Sequence, residues 1–167
     1  MMHVNFIAVV IAALVPTLVG FVWYHPKVMG TIWSQQTGVT MDSPKPRSMG
    51  VVFGISILLS FLLAGSLMPL TIHQMGLYSM LANEPGINDP NSEIGQTVAN
   101  LMAKYGTNFR TLKHGALHGF LSSLFFMVPI LTTNALFELK STKYILVNIA
   151  FWTICLTIMG AIICAYV

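Results

Sequence analysis

The sequence predicts an all-α integral membrane protein with four membrane-spanning helices. Of its 167 residues, 55% are hydrophobic and 8% are charged, and the mean hydropathy is +0.75, whereas a soluble domain carries roughly 25% charged residues. Lys, Arg, Asp and Glu are absent from residues 1–26, 48–83, 114–137 and 144–167. Each of these stretches holds the ~20 apolar residues that cross a bilayer as a helix. A chain this short could not cover four wholly apolar helices with polar surface, so we predict a single membrane domain over residues 1–167.

The first predicted helix covers about residues 5–24. No Lys or Arg precedes it and no cleavage site of small residues follows, so we expect a retained helix and not a removed signal peptide. Trp23, Tyr24 and Pro26 end this stretch, and Trp33 follows. Trp and Tyr beside a Lys are typical of the aromatic belt at a membrane–water boundary. We therefore predict that these four residues anchor the chain at the interface.

The second predicted helix covers residues 49–69, after a polar connector, residues 34–48, whose prolines predict an exposed loop. Gly50 and Gly54 form a Gly-x-x-x-Gly pair near its start. Small residues let helix backbones approach each other where lipid supplies no hydrophobic drive for association. The pair therefore predicts a helix-packing seam.

The connector between the second and third helices is predicted to contain an amphipathic helix over about residues 90–104. Asp89 followed by Pro90 has the pattern of an N-cap and first helical residue. Ile94 and Val98 begin an apolar stripe along one face. A helix of this kind lies on the membrane surface or on the mouth of a helical bundle.

The third and fourth predicted helices cover about residues 113–138 and 144–166. Both carry small or polar residues along one face at helical spacing, opposite larger aliphatic residues. The seam residues are Gly115, Gly119, Ser122, Thr153 and Gly160. The first helix has a similar face that includes Ala13, Thr17 and Gly20. Because every predicted crossing has such a seam, we expect the four helices to pack together as a bundle.

Basic residues predict the orientation of the chain in the membrane. The connectors after the first and third helices hold five of them, against three in the middle connector and none at the termini. Cytoplasmic connectors carry the excess of Lys and Arg. Both termini are therefore predicted to lie outside.

Four histidines fall on the outer face under this topology: His3, His73, His114 and His118. The last two are separated by one helical turn, a spacing that brings two imidazoles to one metal ion. A third ligand from His73 or His3 would complete a zinc or copper site. Interfacial histidines more often bond water, backbone or headgroups, which is the interpretation that we expect first. Proton-linked ligand binding is a further alternative.

Three stretches together resemble the uncharacterised bacterial membrane family known as domain of unknown function 1761. They are Trp23-Tyr24-His25-Pro26 with the following Gly30 and Trp33, the end of the third helix from Pro129 to Glu138, and Asn148 with Trp152 and Met159-Gly160-Ala161-Ile162. The resemblance covers both ends of the chain and skips much of the connector over residues 70–112. It implies a small multi-helix membrane protein without an assigned activity.

Several function classes are disfavoured by what the apolar stretches lack. No ionisable side chain is expected near the bilayer centre, where proton pumps and ion-coupled carriers place one. The sequence has no paired carboxylates, nucleophile with its base or phosphate-binding Gly loop. It also has no run of basic residues for nucleic acid. Cys155 and Cys164 fall about 180° apart on one helix and cannot pair.

We therefore expect a non-enzymatic binding or assembly protein without a cofactor. It would contact membrane lipids and act as a homo-oligomer or as a subunit of a larger membrane complex. One alternative is a small transporter or channel for a neutral or amphipathic solute. The other is a membrane metal or redox protein that uses the outer histidines.

Overall fold

A computed structural model describes residues 5–40 and 42–166, and these contain helices and loops but no strand. In chain order the α-helices are α1 (Phe6–Trp23), α2 (Thr31–Thr37), α3 (Met49–Thr71), α4 (Gln74–Met80), α5 (Glu93–Tyr105), α6 (Leu112–Ser122), α7 (Val128–Phe137) and α8 (Thr142–Ala165). A π-helical turn, Ser123–Met127, joins α6 to α7.

Four helices are long and apolar enough to cross a membrane. Three of them are α1, α3 and α8. The other is the continuous helix Leu112–Phe137, which consists of α6, the π-helical turn and α7. This confirms the predicted all-helical fold with four such helices. Each begins and ends within two residues of its predicted limits, and the largest differences are the extension of α3 to Thr71 and the earlier start of α8 at Thr142. The hydrophobic stretches alone were therefore enough to locate them.

Capping side chains fix where each spanning helix begins. The first backbone N–H groups of a helix have no partner within the helix, and a polar side chain at the N-cap satisfies them. Asn5 accepts from Ala8 N at 3.3 Å, and Ser141 accepts from Tyr144 N at 3.2 Å. Ser48 caps α3 in the same way. The starts are thus encoded locally, before any packing.

The last helix, α8, contacts each of the other three spanning helices. Its buried side chains Cys155, Leu156 and Met159 are at most 1% exposed and join the apolar core. The core is completed by small and aliphatic residues of α1 and α3, among them Ala12 and Leu67. The interior of the molecule therefore lies around α8.

The helices α6 and α8 meet backbone to backbone. A methyl group added at Gly115 would overlap the carbonyl oxygen of Gly160, and one at Gly119 would overlap that of Leu156. Gly160 would overlap Gly115 in return. Only glycine allows this approach, because any side chain would separate the two backbones.

The other predicted seam residues divide into packed and unpacked positions. Ser122 is buried on α6, and Thr153 lies on α8, where its hydroxyl is 2.8 Å from that of Ser123. An added Cβ at Gly50 or Gly54 would meet nothing within 4 Å. Among the residues that the structure describes, neither glycine is therefore closely packed against another helix, and a packing seam at these positions stays a prediction.

The π-helical turn ends at Met127, two residues before Pro129. Proline has no N–H and its ring clashes with the carbonyl one turn earlier in a regular α-helix. A wider turn relieves that clash, and π-helical turns are common where helices depart from regular geometry. Pro129 is therefore accommodated by a local widening of this helix.

The region after α1 is more ordered than the sequence predicted. A π-helical turn over Pro26–Gly30 leads directly into α2, and the hydroxyl of Thr31 donates to the carbonyl of Pro26 at 2.8 Å. The predicted loop over residues 34–48 was therefore wrong at its start, since α2 continues to Thr37. No proline interrupts the chain there before Pro44, so the helix is free to extend.

The amphipathic helix of the long connector is present as α5, but it begins later than predicted. Ser92 is its N-cap and accepts from Gly95 N at 2.9 Å. Asp89 instead accepts from Asn91 N at 2.9 Å, closing a turn that precedes the helix. The predicted N-cap at Asp89 was therefore wrong, because a second capping residue lies closer to the periodic stretch. On the apolar face, Val98 is buried.

Candidate metal centre

Three histidines meet at the end of the molecule where α3 ends and α6 begins. The ligand nitrogens of His73, His114 and His118 all lie within 4.8 Å of one another. The Nε2 atoms of His73 and His114 are 2.8 Å apart. His3, the other candidate third ligand, lies outside the described residues. The fifth histidine, His25, follows the C-terminal end of α1 and is not part of the cluster.

Aromatic contacts order the three imidazole rings. The ring centroids of His114 and His118 are 4.5 Å apart, and that of His73 is 4.8 and 4.9 Å from them. Phe109 adds a fourth ring, 5.1 Å from His114 and 5.9 Å from His73. The φ of Phe109 is +62°, a left-handed conformation that is costly for a bulky residue. Surrounding contacts must therefore hold the loop in this shape.

The start of α6 positions two of the ligands. Thr111 caps the helix by accepting from His114 N at 3.2 Å. His114 precedes Gly115 and His118 precedes Gly119, the two glycines that meet α8. Each of the two histidines therefore directly precedes a glycine at which α6 packs against α8. Their relative position is fixed by one helical turn, and their position in the fold by that contact.

Arg110 ties the loop before α6 to the end of α8. Its Nε donates to the Cys164 carbonyl at 2.7 Å and its Nη2 donates to the Tyr166 carbonyl at 2.9 Å. These carbonyls lie at a helix C-terminus, where a cation is favourable and backbone oxygens need donors. Arg110 thereby holds the neighbouring Phe109 over the imidazoles.

The segment that carries His73 is tied down on both sides. The buried thiol of Cys164 lies 3.3 Å from the carbonyl oxygens of Thr71 and Phe109. On the other side, Gln74 Nε2 donates to the carbonyls of Tyr105 and Asn108, at 3.2 and 2.8 Å. The cluster therefore rests on a network that joins α3, α4, α8 and the end of the long connector.

Sequence reasoning identified the three histidines but missed the residues that hold them. Phe109, Arg110 and Gln74 lie in or beside the connector, where no helical pattern assigns them a direction. For Cys164 the sequence excluded only a disulfide with Cys155. Its burial and its contacts with the carbonyls of Thr71 and Phe109 were not predicted, because both depend on the tertiary fold.

The hydrogen bond within the cluster leaves one imidazole nitrogen unprotonated, as a metal ligand must be. At 2.8 Å, one Nε2 of the His73–His114 pair must donate and the other accept. The accepting nitrogen is neutral and already directed into the cluster. A metal ion could take the place of the shared proton once the donating imidazole has moved that proton to its Nδ1 or released it to solvent, since metal ligation requires an unprotonated imidazole nitrogen.

The predicted interface anchors lie at the opposite end and contact α8. Trp23 Nε1 donates to the Val147 carbonyl at 3.2 Å, and the Tyr24 hydroxyl lies 3.2 Å from Asn148 Oδ1. Burial raises the pKa of Tyr24 to about 12, so its hydroxyl stays a neutral donor. The ring of Trp33 is 5.5 Å from that of Tyr24.

Pro26, the fourth predicted anchor, is exposed and begins the π-helical turn after His25. The four predicted anchors therefore surround the junction between α1 and α2. Two of them, Trp23 and Tyr24, form hydrogen bonds with α8.

Comparison with known families gives one match. The model of the family described as "Protein of unknown function (DUF1761)" matches residues 7–164. The match runs through the long connector, which the sequence resemblance had left out. Searches of curated proteins and of solved structures found no match.

Proposed function

The chain belongs to the DUF1761 family of unknown function, and from that premise we propose that it is a non-enzymatic membrane protein that binds a transition-metal ion. The proposed ligands are His73, His114 and His118. One observation carries the proposal: three imidazole nitrogens from two separate segments lie within 4.8 Å of one another. Histidines that merely border a membrane have no reason to converge in this way.

The spacing of the nitrogens is close to that of a tetrahedral site. Bonds of 2.0–2.1 Å from zinc to imidazole place two ligand nitrogens ~3.3 Å apart at the tetrahedral angle. One pair of the cluster is closer than this, at 2.8 Å, and no pair exceeds 4.8 Å. Small rotations of the three side chains would make the distances equal, and two of those side chains are only half buried.

The ligand set selects the class of metal. Imidazole suits Zn²⁺, Cu²⁺ and Ni²⁺, whereas Mg²⁺ and Ca²⁺ prefer oxygen ligands. Three histidines leave a fourth position on zinc for water or for a ligand from a partner. Among the described residues, the group includes no carboxylate that could act as a general base beside that position. The site therefore fits metal binding better than metal-assisted hydrolysis.

The hydroxyl groups inside the spanning helices favour this function over solute transport. Ser122 donates to the His118 carbonyl at 2.7 Å, and Thr157 donates to the Thr153 carbonyl at 2.7 Å. Thr153 also donates to the backbone of its own helix. These three hydroxyls are engaged with their own helices and are therefore not free to line a path for a solute.

The proposed site would face outward in the bacterial inner membrane. Lys and Arg predominate at the opposite end of the spanning helices, which corresponds to the cytoplasmic side. In this orientation both termini lie outside and α5 lies along the outer surface with its apolar face toward the membrane. The histidines would then take metal from the space outside the membrane.

Metal binding can be tested on the purified protein by zinc titration against a chromophoric chelator. We expect His118→Ala to weaken zinc binding at least about 100-fold, because loss of even an outer partner of a ligand costs 10–100-fold. The matched control is His25→Ala, which removes an exposed histidine at the other end of the molecule. Acidification below about pH 6 should also release the ion, since protons compete for imidazole.

Two outcomes would contradict the proposal. One is a wild-type protein that binds no zinc, copper or nickel after chelator treatment and dialysis. The other is an equal loss of zinc affinity in His118→Ala and His25→Ala, because a non-specific effect of removing any histidine would then explain the result.

A further inference from the structure

A groove lies between α2 and the first half of α8, at the end of the molecule opposite the histidines. Its volume is about 390 Å³, within the range of small-molecule sites. Trp23, Met29 and Ile32 line one side, and Leu146 and Ala150 line the other. The groove is therefore bounded by separate segments of the chain that converge on the junction after α1.

The floor of the groove is apolar, and this holds for Trp23 too, although its side chain carries an N–H group. The indole N–H of Trp23 already donates to the Val147 carbonyl, so Trp23 presents ring carbons to the groove. Ile32 and Leu146 are 37% and 60% exposed. Apolar side chains exposed along a groove favour an apolar occupant.

The rim of the groove is polar and positively charged. Gln35 and Gln36 from α2 and Lys143 from α8 form this edge. Lys143 lies in the first turn of a 24-residue helix, whose N-terminal end is itself favourable for an anion. The groove thus combines an apolar floor with an anion-attracting rim at one end.

The surrounding connectors reinforce the charge of the rim. The end of the molecule that holds the groove carries five basic and two acidic residues, which are Lys27, Lys45, Arg47, Lys140, Lys143, Asp42 and Glu138. A basic recess between membrane helices attracts the headgroups of anionic lipids. A ligand with an acyl tail and an anionic head matches both parts of the groove.

We propose that this groove binds one anionic phospholipid. An acyl chain lies along Trp23, Ile32 and Leu146, and the phosphate contacts Lys143 and the amide groups of Gln35 and Gln36. The proposal is independent of the metal site, because it involves none of the three histidines and lies at the other end of the molecule.

Native mass spectrometry of the full chain tests the proposal. The protein is equilibrated in detergent with equal amounts of phosphatidylglycerol and phosphatidylcholine that have identical acyl chains. We expect the wild-type protein to retain one phosphatidylglycerol in preference to phosphatidylcholine. Lys143→Gln should lower this preference about fivefold, the effect of one Lys near an anionic lipid.

The matched control is Lys113→Gln, which removes an exposed lysine from the equivalent second position of α6 at the other end. It should leave the preference unchanged. A second variant, Ala150→Phe, fills the floor and should abolish retention of both lipids, with circular dichroism and thermal unfolding confirming that it folds. Equal retention of the two lipids by the wild-type protein, equal losses in the two lysine variants, or unchanged retention by folded Ala150→Phe would overturn the proposal.

Discussion

Replacing Gly119 with Ala should destabilise the protein, whereas the same change at Gly54 should not. A methyl group at Gly119 would overlap the carbonyl oxygen of Leu156, while one at Gly54 would meet nothing within 4 Å. Overpacking of this kind costs about 1–3 kcal/mol. Alanine also favours a helix by up to about 1 kcal/mol relative to glycine, but that gain applies equally to both variants.

The difference between the two variants therefore isolates the contact between α6 and α8. Thermal unfolding in detergent, followed by circular dichroism, should give Gly119→Ala a Tm about 2–12 °C below that of Gly54→Ala. This range follows from about 2–4 °C per kcal/mol for chains of this length. Equal Tm values in the two variants would refute the reasoning, because they would mean that α6 and α8 do not meet at Gly119 or that Gly54 is packed to the same degree.

Two smaller perturbations test the contacts at either end of α8. Arg110→Ala should lower stability by about 1–2 kcal/mol, since it removes the donors to the Cys164 and Tyr166 carbonyls. Arg110→Lys should not restore the loss, because a lysine cannot reproduce the fork of the guanidinium group; full rescue in a denaturation assay would contradict this. Tyr24→Phe should cost about 0.5–1.5 kcal/mol through its bond to Asn148. Unchanged stability of Tyr24→Phe in the same denaturation assay would contradict a hydrogen bond between Tyr24 and Asn148.

The sequence predicts the spanning helices well because their cause is local. An apolar stretch of sufficient length and a capping residue such as Asn5 or Ser48 determine each helix without reference to the rest of the chain. The error at Asp89 has the same origin. Two capping residues compete there, and propensity alone does not choose between Asp89 and Ser92.

The sequence does not predict which faces of the helices pack against each other. Gly50-x-x-x-Gly54 and Gly115-x-x-x-Gly119 are the same pattern, yet in the described part of the chain the second packs against another helix and the first does not. Which face of a helix turns inward depends on its neighbours. The histidines follow the same rule, because one helical turn relates His114 to His118, whereas the approach of His73 requires α3 and α6 to be adjacent.

The two proposed sites share no residue, but α8 contacts the surroundings of both. Helix α8 is held at Gly160 by direct backbone contact with α6, and a shift of one residue would rotate it by about 100°. Such a rotation would move the Cys164 thiol away from the Thr71 carbonyl. At the other end it would move the Val147 carbonyl away from the indole N–H of Trp23. The glycine contact, in the second half of α8, therefore helps to set the positions of both ends of that helix.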